Sequence, residues 1–150
     1  IDEIDTYLMR MLDKKAYDQT GLIYGLGHAV YTMSDPRAVE LKKLAGELAK
    51  EKGRVEEYEF LKLIEQEGIK CLMARGRTKP ACANLDFYSG FIYEMIGLPQ
   101  EIYTPIFAMA RIVGWTAHRI EELNFESRRI IRPAYKNIQD SKEYTPLADR

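Results

Sequence analysis

The sequence predicts an all-α protein. Apolar residues recur at helical spacing along most of the chain, and an aspartate-proline and a threonine-proline pair stand where two of the helices should begin. No segment alternates apolar and polar residues convincingly enough to predict a strand, and there is no internal repeat or low-complexity tract. These observations favour helix packed on helix as the fold class.

Composition narrows the function classes. The chain has 150 residues, of which 46% are apolar and 30% charged, a balance typical of a domain with a real core. Its net charge of -1 argues against a partner held by bulk electrostatics, such as a nucleic acid or a membrane surface. No run of about 18 apolar residues predicts a transmembrane helix. The first residues include no initiator Met and no basic signal-peptide start, so we expect the chain to begin inside a longer protein.

The first half predicts two helices joined by a loop. Apolar residues 4–12 follow the spacing of one buried helix face. Residues 17–34 contain three glycines and lack that spacing, so they are expected to form a loop. Asp35 should cap the next helix with Pro36 at its first position, and Gly53 should end it.

Two more helices are expected in the middle of the chain. One should run from about residue 55 to residue 66, with Gly68 near its end. Residues 75–80 form a basic segment with Gly and Pro, for which a solvated connection is the default interpretation. A short helix over about residues 87–96 should stop at Gly97.

A long apolar helix follows. Thr104 and Pro105 predict its start, and residues 106–123 are apolar almost all round. Such a helix is buried on most sides, in a large protein or in a subunit interface. A turn is expected at Arg132, and the final fifteen residues are expected to form a poorly ordered or docking tail.

The chain has two histidines and two cysteines. His28 follows two loop glycines, which leave its imidazole uncrowded, so it can act as a general acid or donate to a carbonyl. The alternative is a turn histidine with no role. His118 is expected to be structural, paired with Glu121 or with backbone. Cys71 and Cys82 form neither a disulfide framework nor a zinc site, which favours two free thiols in a reducing compartment.

One carboxylate and three arginines complete the candidates. Asp86 lies between apolar residues, where the pKa of a carboxyl group can rise to suit a base, although a helix N-cap is the alternative. Arg111 is a lone charge on its apolar helix, so we expect it to be paired. Arg37 and Arg132 are surface arginines by default. With His28, this set suits a di- or tricarboxylate, but residue chemistry alone does not select it.

Four motifs stand in a fixed order along the chain. GLGHAVY and DPR lie within residues 25–37, NLDFYSG at residues 84–90, FAMAR, GW and AH within residues 107–118, and IRP at residues 131–133. In order and spacing they resemble the citrate synthase family over about residues 21–135. The four linked motifs make this resemblance specific, which none of them does alone.

The resemblance implies an all-helical enzyme of two domains, of which this chain is the C-terminal part. Residues 1–100 would be most of the small helical domain, with an approximate boundary, and residues 101–150 a C-terminal segment of the large domain. In the family the small domain closes over a cleft, and the enzyme is a homodimer. It joins the acetyl group of acetyl-CoA to oxaloacetate, which gives citrate and free CoA.

Site roles follow from the resemblance, residue by residue. Asp86 would remove a proton from the acetyl methyl group, and His28 would hydrogen-bond and protonate the oxaloacetate carbonyl. The carboxylates would be clamped by the three arginines, Arg37, Arg111 and Arg132. The backbone of the glycine loop would hold the CoA adenine through Gly25, Leu26 and Gly27. No bound cofactor, metal, nucleic acid or membrane is implied. A cytoplasmic location is expected, with the mitochondrial matrix as the alternative.

Departures from the family pattern leave other functions open. Leu26 replaces a common aromatic residue, and Leu85 a common valine. The family uses another catalytic histidine nearer the N-terminus, but no histidine precedes His28, so we expect the isolated chain to be inactive. A 2-methylcitrate synthase would use propionyl-CoA with the same residues. A different class is a non-catalytic module that binds a carboxylate or CoA, or that only dimerises.

Overall fold

The computed structural model describes residues 2–77, 79–126, 140–141 and 143–149. These residues contain five α-helices and no strand. The helices are α1 (Asp2–Leu12), α2 (Pro36–Lys52), α3 (Val55–Ala74), α4 (Leu85–Met95) and α5 (Tyr103–Leu123). Short 3-10 turns occupy Gln100–Ile102 and Leu147–Asp149. The predicted all-α class is confirmed.

Local capping signals set the bounds of α2. Asp35 has an extended backbone, and its side chain accepts a hydrogen bond from the Arg37 amide, as an N-cap does. Pro36 occupies the first position, where a missing N–H costs nothing. At the other end, Gly53 adopts a left-handed φ of 69° and donates to carbonyls of the last turn. All three features agree with the sequence prediction.

Two predicted helix ends are wrong. The third helix does not end near Gly68 but runs through it to Ala74. Gly68 is buried, and a Cβ there would collide with the side chain of Leu26. The glycine therefore makes room for a loop instead of ending a helix. The last helix begins at Tyr103, so Thr104 is not its cap. Pro105 falls in the first turn, whose amides have no intrahelical acceptor.

The first of two compact units, Ile1–Ile112, contains the core. Within it, α2 packs against α4 and α3, and α1 packs against α3. One buried cluster joins α1 and α3 and consists of Leu8, Leu12, Ile23 and Cys71. A second cluster joins α2 and α4 through Ala45, Ala83 and Tyr88. Leu26 packs against both clusters and so anchors the glycine loop to the helices.

A charged network crosses the second cluster. The hydroxyl of Tyr88 is fully buried and donates to Glu65 Oε2 at 2.5 Å. The same carboxylate oxygen accepts from Lys42 Nζ at 2.5 Å. Burial, and then the Glu65 carboxylate, raise the pKa of Tyr88, so the phenol stays protonated. These bonds link α2, α3 and α4 around one carboxylate.

The second compact unit, Val113–Arg150, begins inside α5. No residue of α5 is buried in this chain, although its sequence predicted burial on most sides. The predicted division into residues 1–100 and 101–150 stays a prediction, since compact units of one chain need not match the domains of a longer protein. The turn at Arg132 lies outside the described residues, as does part of the tail. Within the described part of the chain, no helix is long and apolar enough to span a membrane.

Both cysteines are buried and free. Burial raises the pKa of the Cys71 thiol and of the Cys82 thiol. Cys82 Sγ lies 3.6 Å from the Tyr31 carbonyl oxygen, beneath the loop that carries His28. The described residues contain no group of three or more His, Cys, Asp or Glu that could hold a metal ion.

Candidate active site

The turn after Gly27 fixes the orientation of His28. Its Nδ1 accepts hydrogen bonds from the backbone amides of Val30 and Tyr31, each at 3.0 Å. In a neutral ring the proton must then sit on Nε2, because Nδ1 supplies its lone pair to these amides. The Tyr31 ring lies against the imidazole, with 4.9 Å between the ring centroids. His28 therefore presents an N–H donor.

Arg37 is held by a buried carboxylate. Asp35 accepts from the Arg37 backbone amide at 3.0 Å, from Nε at 3.0 Å and from Nη2 at 2.8 Å. The hydrogen bonds from Arg37 hold the pKa of Asp35 below its ordinary value, and the same bonds raise the pKa of Arg37. The guanidinium is thus a permanently charged group in a fixed orientation.

His28 and Arg37 point donors at the same space. Arg37 Nη2 lies 3.3 Å from His28 Nε2. A guanidinium has no acceptor, and Nε2 carries the proton of the neutral imidazole, so the two groups cannot satisfy each other. An oxygen of a carbonyl or a carboxylate placed between them would accept from both.

Asp86 stands at the start of α4, but it is not the helix cap. Asn84 is the N-cap, and its Oδ1 accepts from the Asp86 amide at 3.0 Å. The prediction that Asp86 caps the helix is therefore wrong. The side chain of Asp86 is exposed and does not cap α4. Asp86 lines a cavity of about 370 Å³ whose wall includes Tyr103 and Phe107. After the hydrogen bonds to Asp35, the charge of Asp86 also contributes to the raised pKa of Arg37.

Backbone pairing joins the glycine loop to the segment before α4. Leu26 and Ala83 form an isolated antiparallel bridge. The Gly27 amide donates to the Cys82 carbonyl at 2.8 Å, and the Asn84 amide donates to the Gly25 carbonyl at 2.8 Å. Two segments far apart in sequence are thereby fixed side by side. The sequence predicted His28 and Asp86 as separate candidates, and this pairing fixes the loop of His28 beside the segment that leads into Asp86.

The loop glycines have packing roles of their own. Gly25 has a φ of +81°, and a Cβ on it would lie 2.7 Å from Phe87 Cδ2. Gly27 has a φ of +103°, and a Cβ there would lie 3.3 Å from the Arg77 guanidinium. The side chain of Leu26 is directed into the core, and its backbone amide donates to the Ile23 carbonyl at 3.2 Å. Arg77 belongs to the segment interpreted as a solvated connection, yet it lies over the glycine loop.

Three candidates remain, and of these Arg111 makes no contact with His28, Arg37 or Asp86 in the contacts that the structure describes. Arg111 was expected to pair with a carboxylate, but it is exposed, and its Cζ lies 4.9 Å from the centroid of the Phe107 ring. Because Arg111 is exposed, water can solvate its charge. His118 is largely exposed, and its Nδ1 lies 3.9 Å from Oε2 of its predicted partner Glu121, within ion-pair distance but too far for a hydrogen bond. Arg132 lies outside the described residues.

Two residues of the site were missed by sequence reasoning. Asp35 was predicted only to cap a helix, and Asn84 was noted only as the first residue of the NLDFYSG motif. The Asp-x-Arg spacing of Asp35 and Arg37 was a usable signal, because an N-cap carboxylate can reach a side chain two residues on. The contact of Asn84 with Gly27 had no local signal.

Over residues 1–134 the chain matches the family model for the citrate synthase C-terminal domain. The chain belongs to the citrate synthase family. It is 36% identical to the citrate synthase of Deinococcus radiodurans, across all of this chain and 37% of that relative. The 2-methylcitrate synthase 1 of Corynebacterium glutamicum is 37% identical over 91% of this chain and 34% of its own length.

A solved structure of a citrate synthase has a similar fold. The enzyme of Thermoplasma acidophilum, in a ternary complex with carboxymethyl coenzyme A and oxaloacetate, superposes with a TM-score of 0.61 at 32% identity. The match covers 98% of this chain and 42% of that one. This chain thus spans less than half the length of these relatives. The family match includes all of the candidate site residues.

Proposed function

We propose that this chain supplies the C-terminal part of the active site of a citrate synthase, which condenses acetyl-CoA with oxaloacetate to give citrate and CoA. The observation that carries the proposal is the 3.3 Å approach of Arg37 Nη2 to His28 Nε2. Two donors aimed at one point suit an oxygen-rich, anionic substrate. The carboxylate of Asp86 on the neighbouring element supplies a base.

The first step forms a carbon nucleophile. Asp86 takes a proton from the methyl group of the thioester, and the electron pair of the C–H bond moves to give the enolate. Asp86 lines the same cavity as Tyr103 and Phe107, so the acyl group can approach it there. Closure that excludes water protects this short-lived species from protonation by solvent.

The second step joins the two substrates. The nucleophilic carbon attacks the keto carbon of oxaloacetate, and the C=O bond electrons move to oxygen. His28 donates its Nε2 proton to that oxygen, which becomes the hydroxyl group of the product. Arg37 stabilises the developing negative charge beside it, and Arg111 and Arg132 hold carboxylates of the substrate and product. Attack of water on the resulting citryl thioester then breaks its C–S bond and releases citrate and CoA. Of the two protons that the water loses, one returns to His28 and one protonates the CoA thiolate, while Asp86 releases its proton to solvent.

We also propose that the protein works as a homodimer. Support comes from α5, which exposes large apolar side chains in this chain, including Met109, Val113 and Trp115. A helix that exposes several large apolar side chains is typical of an interface. A separate proposal concerns CoA: its adenine binds to the backbone of Gly25, Leu26 and Gly27.

Activity of the complete natural protein that carries these residues tests the function. Purified protein with acetyl-CoA and oxaloacetate should release CoA, detected with a thiol reagent, and form citrate, detected by mass spectrometry. Both products should depend on both substrates. Binding of oxaloacetate and CoA without product would instead identify a non-catalytic module and overturn the proposal.

A 2-methylcitrate synthase is the second candidate. It is favoured by the 37% identity to the Corynebacterium glutamicum enzyme, close to the 36% for the Deinococcus radiodurans citrate synthase. The two activities share every step and differ only in one methyl group on the acyl chain. The ratio of kcat/KM for acetyl-CoA to that for propionyl-CoA separates them, and a value below one assigns the chain to the second activity.

A further inference from the structure

Asn84 links the loop of His28 to the backbone of Asp86. Its Oδ1 accepts from the Asp86 amide at 3.0 Å, and its Nδ2 donates to the Gly27 carbonyl at 3.0 Å. The Gly27 carbonyl belongs to the peptide bond that leads into His28. One side-chain amide therefore contacts the main chain next to both residues.

The linkage is stiff for two reasons. The side-chain amide is planar, so the positions of Oδ1 and Nδ2 are set by two torsion angles. The backbone of Asn84 is tied as well, since its N–H donates to the Gly25 carbonyl at 2.8 Å. Asn84 is half-buried, which limits competition from water for these bonds. A helix cap needs only the Oδ1 contact, so capping does not explain the bond from Nδ2.

We propose that Asn84 is a positioning residue that sets the distance between the proton donor His28 and the base Asp86. This inference rests on the proposed condensation. The keto carbon is held on the His28 side and the thioester methyl on the Asp86 side. Carbon–carbon bond formation requires them to approach to about 3–3.5 Å, and a displacement of about 1 Å can cost about 100-fold in rate. Asn84 acts on the turnover number through this geometry, without touching substrate.

Two variants break the link to Gly27 but keep the cap. Asn84→Ser retains a short acceptor for the Asp86 amide and is neutral. Asn84→Asp keeps the size and the acceptor of asparagine, but turns an oxygen toward the Gly27 carbonyl. Because only the second variant adds charge, equal effects of the two identify the lost Nδ2 bond as their cause. Asn124→Ser is the matched control, since Asn124 Nδ2 also donates to a backbone carbonyl, that of Ile120, at 2.8 Å.

The kinetic test is a double-mutant cycle in the complete natural protein. Asn84→Ser should lower kcat by about 10- to 100-fold, while the KM for oxaloacetate stays within about twofold. In an Asp86→Asn background the same substitution should lower kcat no further, because the base that it positions has gone. An equal loss in both backgrounds, a change confined to KM, or no loss at all would overturn the proposal.

A second experiment does not depend on enzyme activity, so it can distinguish failure of this proposal from failure of the proposed function. In NMR spectra of the isolated chain, Asn84→Ser should shift the His28 amide and its imidazole nitrogens, whereas Asn124→Ser should leave them in place. Unmoved His28 signals would refute the linkage even in an active enzyme. An unmodified protein that makes no citrate would refute the proposed function, and shifted His28 signals would still support the linkage.

Discussion

Arg37 Nη2 and His28 Nε2 lie 3.3 Å apart, and because His28 Nδ1 accepts from two amides, both of these atoms act as donors in the neutral ring. Other hydrogen bonds hold each of the two side chains in place. Asp35 fixes the guanidinium, and the Val30 and Tyr31 amides fix Nδ1 of the imidazole. The pair is therefore organised before any substrate arrives, and the space in front of it suits an oxygen acceptor.

His28→Asn should preserve the turn after Gly27 but remove the proton donor. The asparagine carbonyl can replace Nδ1 as the acceptor of the Val30 amide, but it offers no donor at the position of Nε2. In the complete protein we expect turnover to fall by about 10²–10⁴ and oxaloacetate to bind about tenfold more weakly, the size of one lost hydrogen bond. Steady-state kinetics and calorimetric titration measure the two effects. Unchanged turnover would remove His28 from the mechanism.

Asp35→Asn should loosen Arg37 while the helix keeps its cap. The neutral amide can still accept from the Arg37 backbone, but the charged pair with the guanidinium is lost. We expect a loss of about 2 kcal/mol in the free energy of unfolding at pH 7 and a raised KM for oxaloacetate. Glu40→Gln, on the exposed face of the same helix, is the control and should change neither quantity.

The Asp35 effect should depend on pH in a fixed direction. Its pKa is lowered in the folded state, so its contribution to stability is fully present above the ordinary carboxyl pKa of about 3.9. That contribution is lost as the pH falls through the lowered folded-state value. The unmodified protein should therefore melt at a higher temperature than Asp35→Asn at neutral pH, and this difference in melting temperature should disappear only at strongly acidic pH. A difference that widens in acid would contradict the assignment.

Asp86→Asn should abolish the base and preserve the fold. Its side chain is exposed and does not cap α4, so the substitution should leave the melting temperature unchanged. Turnover should fall by about 10²–10⁴, and oxaloacetate binding should survive. The matched control is Glu94→Gln, which makes the same chemical change on the same helix. If Glu94→Gln reduced turnover as much as Asp86→Asn, a base at Asp86 would no longer explain the loss.

Tyr88→Phe should destabilise the packing of α2, α3 and α4. The substitution removes the donor to Glu65 and leaves a carboxylate facing a buried ring. We expect the free energy of unfolding to fall by about 1–3 kcal/mol. Tyr7→Phe, at an exposed position of α1, should change it by less than about 0.5 kcal/mol. Denaturant titration gives both values, and equal losses would mean that the Glu65 bond contributes nothing.

The isolated chain should associate and should not form citrate. The exposed apolar side chains of α5 favour self-association. The chain has only two histidines, His28 and His118, so it lacks the additional catalytic histidine of the family. Light scattering at micromolar concentration should show a dimer or a larger species, and Trp115→Glu should shift it toward the monomer. Citrate formation by the isolated chain that Asp86→Asn abolishes would show that no further histidine is needed.

Local signals in the sequence determined much of the fold. Asp35, Pro36 and Gly53 set the ends of α2, because capping and left-handed turns depend on a few neighbouring residues. The helical spacing determined the all-α class. The family motifs selected His28, Arg37, Asp86 and the other site candidates, which residue chemistry alone did not.

Only the tertiary structure decided how those residues are arranged. Gly68 looked like a helix end, but its role is to admit Leu26, a residue far away in sequence. The bridge between Leu26 and Ala83, and the bond from Asn84 to Gly27, likewise join segments whose local patterns carry no trace of each other. Such contacts form because packing and backbone hydrogen bonding are satisfied across the whole fold, so no single stretch of sequence specifies them.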